Sequence, residues 1–291
     1  MTYPAQKTSP SPGGSPWRLP QLRHRVAVPL VTVLLVATVG RLLVVSPEIT
    51  HGETALLEGL VQYRNAVFDA IAMAVQAVLS NAGIVLIIAM ITGWLAVFRR
   101  RPLDATAFLI TSLMGWATIG LVKVAAERPR PSLMTGDQLL ALDGATSFPS
   151  GHTGGALAIV LALTLVNFRS SKHNRILLFG LAFVALVGLS RIYATAHFPL
   201  DVLVSIPVAW AGVMIGCAVS NALVPALAYG FGWTQKDVTV PAPGSKRATS
   251  TVTGERSATG ATAASSWEAP VTAQQSRPTF DLNEAEEDRA A

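Results

Sequence analysis

The sequence contains a single cysteine, Cys217, which lies in an apolar stretch and so excludes a disulfide framework and a cysteine-based metal site. Charged residues are also scarce: they make up 13% of the chain, whereas soluble domains carry about 25%. The sequence shows no internal repeat, Walker-type loop, GxGxxG fingerprint, zinc-spaced cluster or nucleic-acid motif. These absences argue against the common nucleotide-binding, zinc-binding and nucleic-acid-binding classes.

Apolar residues are abundant instead, at 51% of the chain with a mean hydropathy of +0.46. This composition indicates a membrane protein. The net charge of +5 and the isoelectric point near 9.7 would also suit a nucleic-acid partner. Most basic residues, however, flank apolar segments or lie in a polar tail, which membrane orientation explains better. We therefore expect membrane lipids, and no nucleic acid, as partners.

The apolar segments predict an all-α fold: a polytopic membrane protein with a six-transmembrane-helix bundle and disordered termini. The long basic leader favours a first transmembrane helix over a cleaved signal peptide. The expected spans cover about residues 26–45, 84–98, 105–124, 150–168, 176–189 and 199–219, and a continuation of the last helix towards residue 227 is the alternative. Residues 46–69 should lie at the outer membrane surface as a loop or amphipathic helix, and an interfacial piece should precede a break at residues 80–83.

Three regions follow from this pattern: a disordered cytoplasmic tail over 1–25, the six-helix domain over 26–230, and a second disordered cytoplasmic tail over 231–291. Both tails are poor in large apolar residues and cannot bury a core. The short inner loops carry the basic residues Arg99, Arg100, Arg101, Arg169, Lys172 and Arg175. The positive-inside rule then places both termini in the cytoplasm, in a multi-pass inner (plasma) membrane protein.

The stretch from Ser190 to Asp201 joins two apolar segments and carries Arg191, His197 and Asp201. Ionisable residues in such a place indicate a functional site, because the bilayer penalises them. Pro199 suits the first turn of a helix, which would put Asp201 one turn beyond His197 and within reach of its ring N–H. The alternative is a loop histidine followed by a helix-capping aspartate.

Two further polar stretches face the same side of the membrane. At the end of the third helix, Lys123 and Arg130 offer an ammonium and a guanidinium suited to phosphate oxygens, although a snorkelling helix end is the alternative. At the start of the fourth helix, Ser150 and Gly151 precede His152, and free amides there form an anion site unless they mark a simple capped helix start. Because the three stretches share one side, we expect them to form one pocket.

Together the three motifs resemble the type 2 phosphatidic acid phosphatase superfamily, which also includes the vanadium haloperoxidases. That pattern is Lys-x6-Arg-Pro, then Pro-Ser-Gly-His, then Ser-Arg-x5-His-x3-Asp, and no motif position departs from it. The matching residues are Lys123, Arg130, Pro131, Pro149, Ser150, Gly151, His152, Ser190, Arg191, His197 and Asp201. The resemblance covers roughly residues 80–219 and leaves out both tails.

The resemblance implies that His197 is a nucleophile that forms a phosphohistidine, with Asp201 orienting its ring. His152 would protonate the leaving oxygen and then activate water. The implied substrate-binding residues are Lys123, Arg130, Ser150, Gly151 and Arg191. The resemblance implies no metal and no cofactor, because fixed cations and amides would stabilise the phosphoryl oxygens.

The implied substrate is a lipid phosphate or diphosphate that enters from the outer leaflet. Undecaprenyl diphosphate, converted to undecaprenyl phosphate, is the first expectation; phosphatidylglycerol phosphate and phosphatidic acid follow. A haloperoxidase is disfavoured by the six spans, and a non-catalytic scaffold or transporter by the intact His152 and His197. The sequence leaves the oligomeric state open, and a homo-oligomer is one alternative. Arg128 is expected to be a peripheral interfacial residue, with phosphate binding as the alternative, and the role of Glu127 is left open.

Overall fold

The computed structural model describes residues 14–24, 26–131, 144–232 and 239–241, and these contain eight α-helices. The helices are α1 (Ala27–Val44), α2 (Pro47–Val61), α3 (Ala66–Val78), α4 (Asn81–Gly93), α5 (Pro102–Ala126), α6 (Gly151–Val166), α7 (His173–Tyr193) and α8 (Pro199–Gly230). A π-helical turn, Trp94–Phe98, extends α4. Two short strands, β1 (Gly14–Pro16) and β2 (Thr239–Pro241), pair antiparallel. The predicted all-α class is confirmed.

Five of these helices are long and apolar enough to cross a membrane: α1, α4 with its π-helical turn, α5, α7 and α8. The remaining predicted span is α6, which is apolar but only 16 residues long. A straight span needs about 20 residues. The protein is therefore multi-pass, but the predicted count of six spans is not confirmed. Helix α6 packs against α5, α7 and α8, so its neighbours bury most of its surface.

Small residues bring the central helices close together. A Cβ atom added to Gly115 of α5 would lie 2.7 Å from the Ala158 Cβ of α6 and 2.8 Å from the Val213 Cγ2 of α8. One at Gly212 of α8 would lie 2.5 Å from the Thr118 Oγ1 of α5. Close backbone approach of this kind is how membrane helices gain packing energy. It fixes the ends of α5, α6 and α8 relative to one another.

Two capped helix starts lie within the segment predicted to hold an interfacial loop or helix and the break that follows it. Asn65 caps α3 by accepting the Phe68 N–H at 3.1 Å. Ser80 caps α4 by accepting the Gly83 N–H at 3.2 Å, at the predicted break. Residues 46–80 thus form two helices, α2 and α3, before the α4 span begins.

Part of the N-terminal segment packs on the opposite end of the bundle. Trp17 and Leu19 are buried. The Trp17 Nε1–H donates to the Asp104 Oδ1 at 3.0 Å, and the Leu19 N–H donates to the Asn221 Oδ1 at 2.7 Å. The predicted disorder of 1–25 therefore does not extend to these two residues, since each finds a buried polar partner on α5 or α8. Residues 1–13 and most of the C-terminal tail lie outside the described residues.

Candidate active site

A cavity of about 350 Å³ lies where α5 and α7 end and where α6 and α8 begin. Its polar lining includes Lys123, Arg130, Gly151, His152, Arg191 and His197. The remaining two predicted site residues, Ser150 and Asp201, are fully buried behind this lining. All three motifs therefore meet at one end of the bundle, as their shared side of the membrane predicted.

His197 lies in the short connection between α7 and α8 and is 1% exposed. Its Nε2 lies 3.4 Å from the Arg130 Nη1, at the cavity wall. Its Nδ1 lies 3.6 Å from the Asp201 Oδ2, slightly beyond hydrogen-bond distance. The ring is thus held between a guanidinium on the cavity side and a carboxylate behind it, which is the arrangement that a nucleophilic imidazole requires.

The surroundings of His197 favour its neutral form. The pKa of His197 is lowered to about 4, chiefly by burial; the Asp201 carboxylate opposes this shift, and the positive charges of Arg130 and Lys123 add to it. Desolvation penalises the charged form of a buried histidine. At neutral pH the imidazole therefore keeps a lone pair for attack.

Asp201 lies in the first turn of α8 with its side chain fully buried. Its Oδ2 accepts the Phe198 N–H at 2.9 Å, and its Oδ1 accepts the Arg128 Nη1–H at 2.9 Å. Its backbone carbonyl accepts the Ser150 N–H at 3.0 Å, which joins the start of α8 to the start of α6. The carboxylate is therefore fixed on both oxygens while facing the His197 ring.

The start of α6 places a histidine side chain and an accessible stretch of backbone at the cavity. The Ser150 Oγ caps the helix by accepting the Thr153 N–H at 3.4 Å, and it also contacts the Thr153 Oγ1 at 3.0 Å. Gly151 lines the cavity, and an added Cβ there would meet nothing within 4 Å. The His152 Nε2 is buried and has no hydrogen-bond partner among the described residues. This atom can exchange a proton with a group bound in the cavity.

Two cations from the first motif border the cavity. The Lys123 Nζ donates to the carbonyl oxygens of Thr146 and Ser147 at 3.1 and 3.2 Å. The Arg130 Nη1–H donates to the Ala196 carbonyl at 3.0 Å, one residue before His197. Both cations are thereby held beside the imidazole by backbone groups.

Arg191 joins the site to α3. Its Nη1–H donates to the Gln76 Oε1 at 2.5 Å, and its Nη2–H donates to the Ala72 carbonyl at 2.6 Å. Its Nε–H donates to the Ser190 Oγ at 3.2 Å. Helix α3 therefore positions the third cation of the cavity.

The expectation that Arg128 is peripheral is wrong. Its side chain is 1% exposed, and besides its bond to Asp201 its Nη2–H donates to the Glu53 Oε2 at 2.6 Å. The sequence does not reveal this role. An arginine at the end of an apolar segment looks the same in the sequence whether its side chain faces solvent or packs into the bundle. Glu127 does lie at the edge, where it pairs with Arg41 at 3.2 Å with both side chains more than half exposed.

Glu53 on α2 is the other residue that the sequence did not indicate. Its Oε1 accepts the Leu200 N–H at 2.8 Å, and its Oε2 accepts from Arg128. No motif or spacing links residue 53 to the three motifs, so only the three-dimensional contact reveals it. Within the described ranges, no cluster of three His, Cys, Asp or Glu side chains suits a metal ion.

Residues 104–225 match the PAP2 superfamily. The chain is 39% identical over 102 residues to undecaprenyl-diphosphatase BcrC of Bacillus subtilis, covering 34% of this chain and 49% of that protein. The chain thus spans about half the length of this relative. The fold resembles the crystal structure of a transmembrane PAP2 type phosphatidylglycerolphosphate phosphatase from Bacillus subtilis, with a TM-score of 0.53 and 18% identity over 71% of this chain and 97% of that chain. At that identity the likeness concerns the fold alone.

Proposed function

The matched part of the chain, residues 104–225, belongs to the PAP2 superfamily, and on this premise we propose that the protein is an integral membrane lipid phosphatase. The observation that carries the proposal is the neutral, buried His197 in one cavity with His152 and three cations. A nucleophile, a proton carrier and fixed positive charge are what phosphoryl transfer requires.

The proposed reaction has two displacements. In the first, the His197 Nε2 lone pair forms a bond to phosphorus, the bond from phosphorus to the leaving oxygen breaks, and protonated His152 gives its proton to that oxygen. In the second, neutral His152 takes a proton from water, the resulting hydroxide attacks phosphorus, and the phosphorus–nitrogen bond breaks. Inorganic phosphate leaves, and both histidines return to their starting states.

Fixed groups at the cavity wall are proposed to stabilise the charge on the transferring phosphoryl group. Lys123, Arg130 and Arg191 supply positive charge, and the Gly151 amide supplies a donor at the helix start. Ser150 contributes by capping α6, which keeps those amides in place. Since the protein's own cations do this work, turnover is expected to survive EDTA.

The shape of the cavity supports a substrate with a long apolar chain. From Lys123 the cavity continues along α5 past Gly120 to Trp116, which lies seven residues earlier and therefore about 10 Å deeper in the membrane. Leu79 and Ile119 add apolar walls. Gly120 is exposed on this face, and an added Cβ there would meet nothing within 4 Å. A phosphate at the charged end would leave room for its lipid chain along α5.

Enlarging Gly120 tests this path for the chain. We expect Gly120→Leu to lower kcat/KM for a long-chain lipid phosphate by about tenfold, because the new side chain occupies the groove, while a short water-soluble phosphate ester is hydrolysed as by the wild type. The measurement is phosphate release from both substrates. Gly93→Leu is the matched control, because Gly93 also has open space around it but lies outside the cavity. Equal loss on both substrates would contradict the groove.

The lowered pKa of His197 predicts how activity depends on pH. Protonation removes the Nε2 lone pair, so the activity that depends on this group is present above its pKa and is lost as the pH falls through about 4, instead of through the ordinary 6.5. The measurement is kcat/KM for a short phosphate ester across about pH 3 to 8, since this ratio reports groups of the free enzyme. A folded protein whose acid limb lies at the ordinary histidine value would contradict the burial argument.

Undecaprenyl diphosphate, converted to undecaprenyl phosphate, is the proposed substrate, supported by the similarity to the Bacillus subtilis undecaprenyl-diphosphatase. Phosphatidylglycerol phosphate is the alternative, because the fold neighbour is a phosphatidylglycerolphosphate phosphatase; phosphatidic acid comes third. A non-catalytic scaffold or transporter on the same fold is the alternative of another class. The presence of two histidines in one cavity with three cations favours the enzyme.

The test is phosphate release from the three lipids in detergent with EDTA present, with His197→Ala alongside. Release by the wild type alone, fastest from undecaprenyl diphosphate, is the expected result. A different rank order would replace the substrate but keep the phosphatase. Silence on all three lipids from folded protein would favour the scaffold or transporter.

The proposed location is the inner (plasma) membrane, with both termini in the cytoplasm and the site at the extracytoplasmic face. The arginine-rich turn Arg99–Arg101 and the basic turn after α6 lie at the end opposite the cavity, in agreement with the positive-inside rule. An alkaline phosphatase reporter fused after residue 232 should be inactive, and a fluorescent protein there should fluoresce. An active alkaline phosphatase fusion would reverse the orientation.

A further inference from the structure

We propose that Glu53 of α2 is a positioning residue for the nucleophile, acting on His197 through Arg128 and Asp201. The inference rests on the proposed function of this cavity. It adds to the site an element that precedes the matched residues 104–225, because α2 spans Pro47–Val61. Glu53 does not line the cavity, so it would act without touching the substrate.

The first step of the argument is the chain of buried charge. Glu53 Oε2 lies 2.6 Å from Arg128 Nη2, and Arg128 Nη1 lies 2.9 Å from Asp201 Oδ1. The three side chains are 11%, 1% and 0% exposed, in the order Glu53, Arg128, Asp201. Interactions between such charges are strong because little water screens them.

The second step is how Arg128 is divided between two carboxylates. Each terminal nitrogen holds a different partner, so Arg128 takes only one oxygen of Asp201. The other oxygen, Oδ2, remains for the Phe198 N–H and faces the His197 Nδ1. An arginine with one carboxylate partner prefers to bind both of its oxygens. Glu53 therefore keeps Oδ2 available to the imidazole.

The third step is the physical link to the backbone beside the nucleophile. Glu53 Oε1 accepts the Leu200 N–H at 2.8 Å, one residue before Asp201. The Arg128 guanidinium lies 4.0 Å from the centre of the Phe198 ring, and Phe198 directly follows His197. Thr50, also on α2, adds a contact to Arg128 Nη2 at 3.4 Å. Helix α2 thus holds the Arg128 guanidinium and the backbone that leads from His197 to Asp201.

Glu53→Gln removes the charge while keeping the side-chain length. We expect kcat for the lipid substrate to fall about 10- to 100-fold, because Arg128 shifts onto both oxygens of Asp201 and the imidazole loses its orientation. KM should stay at the wild-type value, since Glu53 does not contact the substrate. Glu58→Gln is the matched control: it makes the same change at an exposed position of the same helix and should leave both constants unchanged.

A double-mutant cycle separates positioning from general destabilisation. In an Asp201→Asn background, Glu53→Gln should cost almost nothing further, because its route to His197 is already broken. A merely structural role would instead give additive losses. Unfolding curves in detergent confirm that each variant is folded, and Glu53→Asp, which keeps the charge, should recover part of kcat if Glu53→Gln folds poorly.

Two results would overturn the inference: a folded Glu53→Gln protein with wild-type kcat, or additive losses in the cycle. Failure of the proposed function looks different, because the wild-type protein would then release no phosphate that depends on His197. The Glu53 variants are compared with the wild type only in an assay whose phosphate release is abolished by His197→Ala. Failure of the positioning role and failure of the proposed function are thereby distinguished.

Discussion

The His197→Ala protein is expected to release phosphate from its lipid substrate at least about a thousandfold more slowly than the wild type. The imidazole is the only group in the cavity that the geometry places between a guanidinium on the cavity side and a buried carboxylate behind it, among the residues described. Without the His197 imidazole, the phosphorus–nitrogen bond cannot form and the first displacement cannot occur. The measurement is steady-state phosphate release in detergent.

The control for that variant is His51→Ala, which truncates an exposed histidine of α2 and should keep wild-type turnover. Unfolding curves of both proteins exclude a folding defect as the cause. Wild-type turnover by folded His197→Ala protein would mean that another group attacks phosphorus, and the two-displacement scheme would then be wrong.

The second large effect concerns stability. Arg128→Ala is expected to lower the free energy of unfolding by about 3–5 kcal/mol, because it leaves two buried carboxylates without their shared cation. Those carboxylates belong to Glu53 and Asp201, which lie 2.6 and 2.9 Å from the guanidinium. The Phe198 ring also loses the guanidinium that lies 4.0 Å from its centre. The measurement is unfolding in mixed micelles of mild detergent and dodecyl sulfate.

Arg41→Ala provides the comparison, since Arg41 also pairs with a glutamate but is largely exposed. Exposed ion pairs contribute about 0–1 kcal/mol, so this variant should unfold close to the wild type. Equal stability of the two variants would show that the Arg128 cluster is solvated and not a buried network.

The convergence of the three motifs could be predicted from the sequence because their spacing and their expected shared side of the membrane leave few arrangements. Six of the eight predicted residues line the cavity. Asp201 lies behind His197, as its position one turn beyond that histidine indicated, although the distance of 3.6 Å is longer than a hydrogen bond. Ser150 caps its helix, and its hydroxyl contacts Thr153, a detail that the motif alone cannot specify.

The contacts of α2 could not be predicted for a physical reason. Glu53 and Arg128 are separated by 75 positions, and their pairing depends on how the outer helices fold back over the bundle. Neither residue belongs to a periodic pattern. The hydropathy of a charged residue at an interface is the same whether its side chain is buried or solvated. The same holds for Trp17, whose partner Asp104 is 87 positions away.

The predicted count of six spans stays unconfirmed because hydropathy identifies apolar segments but not the residues at which a helix begins and ends. Ser150 begins α6 sharply, and the helix ends at Val166, so it is shorter than the predicted 150–168 span. In contrast, α8 continues to Gly230, so the longer of the two predicted ends, near residue 227, is the better one, despite Pro207 and Pro225 inside the helix. Packing against neighbouring helices, which the sequence does not display, decides both lengths.

The most direct test of the account is to identify the residue that carries phosphate during turnover. Wild-type protein would be quenched under alkaline conditions while hydrolysing undecaprenyl diphosphate, then digested and mapped by mass spectrometry, with His197→Ala treated in parallel. The account predicts an acid-labile phosphoryl group on His197 in the wild type and none in the variant. A phosphoryl group on any other residue of the active protein would contradict it.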